Sequence, residues 1–173
     1  MDARARTPHI GPMFELKSID PSDKATAYPE LESQLRGLLH GEPDFIANCA
    51  NTAALIWHSL PDLNWAGFYR LVQNELVLGP FQGKPACVRI KLGKGVCGTA
   101  ASERKTQVVA DVQAFPGHIA CDPDSRSEIV IPLVKDGRLL GVMDLDSPRT
   151  GRFDAADQEG LEKLAAVLLA ASA

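Results

Sequence analysis

The stretch FPGHIACDPDSRSE, residues 115–128, sets a single cysteine, Cys121, among His118, Asp122, Asp124, Arg126 and Glu128. Cysteines without a role are usually buried among apolar residues. A thiol in so polar a loop points instead to nucleophilic chemistry. His118 and Arg126 favour the thiolate and the carboxylates oppose it, a balance that the sequence leaves open. Cys87 and Cys97 lie upstream. They suit a cycle in which one cysteine is oxidised to a sulfenic acid and another condenses with it to a disulfide. Cys97 falls near a predicted helix start, where the macrodipole lowers a thiol pKa; its plainer reading is a small residue between glycines. Cys87 follows Pro85 at a predicted strand edge, where simple packing is the plainer reading. Chain spacing does not tell which of the two comes within disulfide reach of Cys121. Cys49 falls on the apolar stripe of a predicted helix and reads as a buried small hydrophobe.

Carboxylates form the second group. Asp144 and Asp146 stand two apart in VMDLDS, so on a strand they share a face. Glu128 opens the preceding predicted strand. The Asp136-Gly137 turn between these strands brings Glu128 near both aspartates. Three such carboxylates repel one another unless a cation joins them or one holds a proton. An ammonium ligand meets that need, and so does a general acid of raised pKa. Trp65 and Tyr69 share a strand face, as ordinary core or as an apolar, cation-attracting wall.

Elements that could position these groups follow from periodicity. Residues 1–26 carry Pro8, Pro12 and Pro21 with weak periodicity and predict a flexible N-terminal arm. Helices are predicted from Tyr28, with Leu31, Leu35, Leu38 and Leu39 on one face, and from Pro43 to about residue 60. Strands are predicted over residues 63–72, 75–83, 86–91, 106–112, 128–135 and 138–147, with hairpin turns at Gln73-Asn74 and Asp136-Gly137. A glycine-rich loop leads into a short helix around Cys97. A last helix closes the chain, with Asp154 as its N-cap. Hairpins dominate, which predicts an α+β fold: a mainly antiparallel central sheet of about six strands with helices packed on it.

Composition bounds the function. The chain has 173 residues, enough for one domain with its own core, and its formal net charge is −4. No long Lys/Arg patch favours nucleic acid or an anionic membrane. No signal-peptide core follows the basic opening, and no apolar run reaches the ~20 residues that span a bilayer. A cytoplasmic location with reduced cysteines is expected. There is no CxxC pair and the four histidines are scattered. This is poor spacing for a structural zinc knuckle, and no metal site is expected.

NWAGFY, LGPFQGKPAC, KGVCGTAA, HIACD…SEIVIPL and GVMDLDSP, with F-D-x-x-D before the last helix, together resemble the free methionine-R-sulfoxide reductase family, which is built on a GAF-type domain. The resemblance implies a single GAF-like catalytic domain over residues 27–173. It implies reduction of free L-methionine (R)-S-oxide to methionine, no bound cofactor, and thioredoxin as external reductant and partner. Residue by residue, it implies Cys121 as the attacking thiol, Cys87 as the thiol that closes a disulfide with it, and Cys97 as an assisting or exchanging third cysteine. It implies Glu128, Asp144 and Asp146 around the substrate ammonium and sulfoxide oxygen, with Glu128 the first choice for the acid, and Trp65 and Tyr69 as the aromatic wall. The oligomeric state, a homodimer included, stays open. The rival reading is a non-catalytic GAF domain that senses a small ligand.

Overall fold

The computed structural model describes residues 14–118 and 122–173. Cys121 therefore lies outside the described residues, as does half of the expected N-terminal arm. Helix α1 runs Lys24–Leu38 and α2 Phe45–Ser59. Strands β1 (Trp65–Val72), β2 (Glu75–Gly83) and β3 (Arg89–Lys91) lead to α3, Gly95–Glu103. Then come β4 (Gln107–Val109), a short 3-10 turn, β5 (Ser127–Lys135), β6 (Arg138–Ser147) and α4, Ala155–Ala171. Among the described residues the strands form one six-stranded sheet in the order β3-β2-β1-β6-β5-β4. Every pairing is antiparallel, as the hairpins predicted.

Strand alternation splits the sheet into two faces. Ala66, Phe68, Ile129, Ile131, Leu133, Met143 and Leu145 point to the core shared with α1, α2 and α4. Trp65, Tyr69, Val130 and Val142 point the other way, toward α3. Cys49 is fully buried in the first core, as its helical stripe predicted, and burial pushes its thiol up to about 12.

Strand β4 is shorter than the expected 106–112, its end taken by the 3-10 turn, and three further departures bear on how the elements are placed. First, α1 begins at Lys24 and not at Tyr28, so the expected arm ends in helix. Pro29 reads locally as a helix start. Tertiary anchors extend the helix ahead of it. The Lys24 ammonium donates to Asp154 (2.8 Å) and Asp157 (2.6 Å), and the Tyr28 hydroxyl donates to Asp157 Oδ1 at 2.8 Å. Second, β3 is shorter than predicted, so Cys87 precedes the strand in an irregular segment after Lys84. Third, the β5–β6 hairpin contains a bulge: Val134 pairs with Leu139, but Leu133 pairs with Gly141. The extra residue is Leu140. Gly141 permits the close approach there, because a Cβ on it would lie 2.0 Å from the Tyr69 carbonyl oxygen.

The termini of α4 and α2 are conventionally capped. Asp154 accepts from Ala156 and Asp157 N–H, and Asp157 returns a bond to the Asp154 N–H, a capping box. Asp44 caps α2 through the Ala47 N–H. Among the described residues no helix is long and apolar enough to cross a membrane.

The α1–α4 contact turns on Gly160, whose added Cβ would lie 2.2 Å from the Tyr28 ring. Helix propensity alone makes Gly→Ala a gain of about 1 kcal/mol, and overpacking against an anchored ring costs about 1–3 kcal/mol. Urea denaturation of Gly160→Ala is expected to show a net loss of stability that a Tyr28→Leu background relieves. A stabilised Gly160→Ala variant would refute this packing.

Candidate functional site

Residue parity places the carboxylates. Trp65 pairs with Asp146, and Asp146 pairs with Glu128, so these three form one cross-strand row. Gly67, Asp144 and Val130 form the next row, and Tyr69, Val142 and Pro132 the third. Directly paired residues share a face. Glu128, Asp144 and Asp146 therefore stand together beside Trp65 and Tyr69, as the sequence predicted. Helix α3 lies across this face and adds Cys97 from its first turn.

These residues line a cavity, which also reaches His118, Lys84 and Asp122. One wall is aromatic. Trp65 stacks on Phe81 at 5.4 Å between ring centroids and on Tyr69 at 5.8 Å. The floor is acidic. The Cys97 thiol donates to Asp144 Oδ2 at 3.2 Å and lies 3.9 Å from Glu128 Oε1. His118 Nε2 lies 3.9 Å from Glu128 Oε2. Asp144 is only 5% exposed and Glu128 6%. Two buried polar atoms that line the cavity have no protein partner: Asp144 Oδ1 and the Trp65 indole nitrogen.

Burial and mutual repulsion govern the protonation of this group. Burial raises Asp144 to about 7. Glu128 is raised well above the usual carboxylate range by burial, then by the Asp144 and Asp146 charges. Asp146 is raised by burial and by Asp144. The cluster thus titrates as a unit and holds protons near neutral pH. Here the expectation for Cys97 is corrected. Its position in the first turn of α3 suggested a lowered thiol pKa. Burial and the Asp144 and Glu128 carboxylates instead push it well above its ordinary value. A helix end contributes about half a unit charge. Two carboxylates within 4 Å outweigh it.

The loop around Cys121 is only partly as expected. His118 and Asp122 reach the cavity; Arg126 is exposed and does not line it. Asp122 and Asp124 accept from Lys84 Nζ at 3.3 and 2.5 Å, and Asn64 Nδ2 donates to Asp122 (3.1 Å) and Ser125 (3.0 Å). Lys84, Asn64, Ser125 and Phe81 were not singled out by sequence reasoning. Their contacts bridge chain separations of 38 to 61 residues for Lys84 and Asn64, which no local pattern signals. Cys49 and Cys97 are free thiols, and Cys87 is disulfide-bonded.

Residues 44–171 match the family model of the GAF domain. The free methionine-R-sulfoxide reductase of Escherichia coli is 51% identical over 84% of this chain and 88% of its own length. The crystal structure of free methionine-R-sulfoxide reductase from Neisseria meningitidis with its substrate superposes with a TM-score of 0.88 at 46% identity, covering 92% of this chain and 95% of that one. A protein of Burkholderia vietnamiensis described as a GAF sensor is 62% identical, with a TM-score of 0.84 over 86% of this chain and 95% of its own.

The acidic floor makes stability pH-dependent. Asp144 in the folded protein keeps its proton to about pH 7, whereas its ordinary value is 3.8. Between those values the folded state binds a proton that the unfolded chain has released. Stability from this group is therefore fully present below about pH 4 and is lost as pH rises toward 7. Asp144→Asn cannot titrate. Its melting temperature is expected to fall less steeply than that of the parent between pH 4.5 and 8, ending several degrees higher at pH 8. Parallel melting curves would contradict a raised pKa at Asp144.

Proposed function

The chain belongs to the free methionine-R-sulfoxide reductases of the GAF-domain family, and from that premise we propose that it reduces free L-methionine (R)-S-oxide to methionine with thioredoxin as electron donor. The observation that carries the reading is the buried carboxylate floor beneath the Trp65–Tyr69 wall, with Asp144 Oδ1 unpartnered. Removing such a carboxylate from water is costly unless a cation arrives. The substrate ammonium is that cation, held by Asp144 and Asp146, while the thioether chain lies against the aromatic wall.

The remaining carboxyl supplies the acid. Burial and its neighbours keep Glu128 protonated, so it donates to the sulfoxide oxygen and makes the sulfoxide sulfur electrophilic. The Cys121 thiolate attacks that sulfur. The oxygen passes to Cys121 as a sulfenic acid, the substrate sulfur gains two electrons, and methionine leaves as the thioether. Cys87 then condenses with the sulfenic acid, releasing water and forming a disulfide. The thioredoxin dithiol reduces this disulfide by exchange. Cys97, protonated and held against Asp144, is a reserve thiol and a proton donor to the floor and not the first nucleophile. Specificity for the free amino acid follows from the floor. A methionine inside a polypeptide has no ammonium and would leave buried carboxylates unpaired.

The test is NADPH oxidation coupled through thioredoxin and its reductase, with each diastereomer offered separately. Consumption with the R form alone is expected, abolished in Cys121→Ser and lowered about 10²–10⁴-fold in Glu128→Gln, the usual worth of a general acid. No consumption with either diastereomer, from folded and reduced protein, would turn the assignment to a ligand-sensing GAF domain.

A further inference from the structure

Three side chains at the cavity floor come from three separate elements, and together they form a set that cysteine spacing alone did not suggest. Cys97 Sγ comes from α3, a Glu128 oxygen from β5 and an Asp144 oxygen from β6. These three atoms lie within 4.8 Å of one another. His118 lines the same cavity, its Nε2 3.9 Å from Glu128 Oε2, but stands outside this set of three. We propose that Cys97, Glu128 and Asp144 form a binding site for a borderline-soft divalent cation of the zinc class, seated in the cup.

The donor set is chemically selective. One thiolate and two carboxylates, with a water able to take the fourth position, match zinc and its close relatives, whereas magnesium and calcium take oxygen ligands only. The distances suit a small ion. With metal–sulfur about 2.3 Å and metal–oxygen about 2.1 Å, tetrahedral ligands stand about 3.6 Å apart. The Cys97 sulfur lies 3.2 Å from Asp144 Oδ2 and 3.9 Å from Glu128 Oε1, on either side of that figure. An independent observation also points to a ligand. Asp144 lines the cavity with a side chain more than nine-tenths buried, and its Oδ1 has no hydrogen-bond partner. On binding, the Cys97 S–H bond breaks, a sulfur–metal bond forms and the proton leaves to solvent. No electrons are transferred.

Because the metal sits among the carboxylates assigned to the substrate ammonium, it excludes the amino acid. That consequence rests on the reading under Proposed function; the metal site itself does not. Zinc would thereby act as a reversible inhibitor that leaves the redox state of the other thiols untouched.

The test uses the full chain oxidised so that Cys87 stays in its disulfide, leaving Cys49 and Cys97 as the free thiols among the described residues. Cadmium titration should produce a sulfur-to-metal charge-transfer band that saturates at one ion per chain. Competition with a chromophoric chelator should give the zinc affinity. Cys97→Ser is expected to abolish the band, and Cys97→Ser and Asp144→Asn each to weaken zinc binding at least about tenfold. Cys49→Ser should change neither. Should Cys97→Ser fail to fold, Asp144→Asn decides. No one-to-one binding, or binding of undiminished affinity in the Cys97 or Asp144 variant, would overturn the site. Saturating methionine is expected to displace the ion. Cys97-dependent binding that methionine does not disturb would keep the metal site and count against the substrate placement.

Discussion

Two buried carboxyl groups, a half-buried third and a buried thiol are held together in one cup, and the rest of the site is built around them. In water Glu128, Asp144 and Asp146 would each ionise. In the fold, burial raises all three, and neighbouring carboxylates add to the rise at Glu128 and Asp146. A single environment thereby prepares two opposite functions: a protonated carboxyl able to give up its proton, and a neighbouring carboxylate position that gains most by meeting a cation. The same environment keeps the Cys97 thiol protonated, which makes it a poor nucleophile.

The sheet supplies the rigidity that makes such crowding tolerable. The floor residues sit on β5 and β6, flanked by β1 and β4, so neither strand is an edge. Their opposite faces are locked by Ile129, Ile131, Met143 and Leu145 into the core covered by α1, α2 and α4. The floor therefore has no easy way to splay apart. The bulge at Leu140 is equally decisive. An uninterrupted hairpin closed by Asp136-Gly137 would continue the Lys135–Arg138 and Val134–Leu139 register. Glu128 would then stand opposite Leu145, and Asp144 and Asp146 would turn to the core face. The one extra residue shifts the pairing so that Glu128 meets Asp146. Two charged side chains are thereby moved from positions where they would disrupt the core to the face of the cavity.

Much of this was legible in the chain, for reasons that can be named. Period-two alternation placed Asp144 and Asp146 on one face and Trp65 with Tyr69 on another strand, because side-chain direction on a strand is fixed by parity. The Asp-Gly turn told which strands pair, and Asp154 announced its helix. What escaped depended on distant parts of the chain. The bulge was invisible, so the nearness of Glu128 to the aspartates could be read but not its face. The start of α1 was set by Asp157 on α4, 133 residues away, and not by Pro29. The Cys97 pKa went opposite to its helix position because the two carboxylates that oppose it reside on other elements. Cysteine spacing excluded a zinc knuckle built from neighbours in sequence, but it had no bearing on ligands gathered by the fold. Lys84 and Asn64, which tie the segment ahead of Cys87 and the start of β1 to the loop after Cys121, carried no local signature.

The central claim is that the buried carboxylates exist to receive the ammonium of a free amino acid. The most direct measurement is calorimetric binding of methionine and of N-acetylmethionine to the reduced protein under identical conditions. The two share the thioether chain and the carboxylate and differ in the charge at nitrogen. The account predicts that acetylation weakens binding by more than roughly a hundredfold, since it leaves buried carboxylates unpaired. Equal affinity for the two would contradict it, and the acidic floor would then need another purpose.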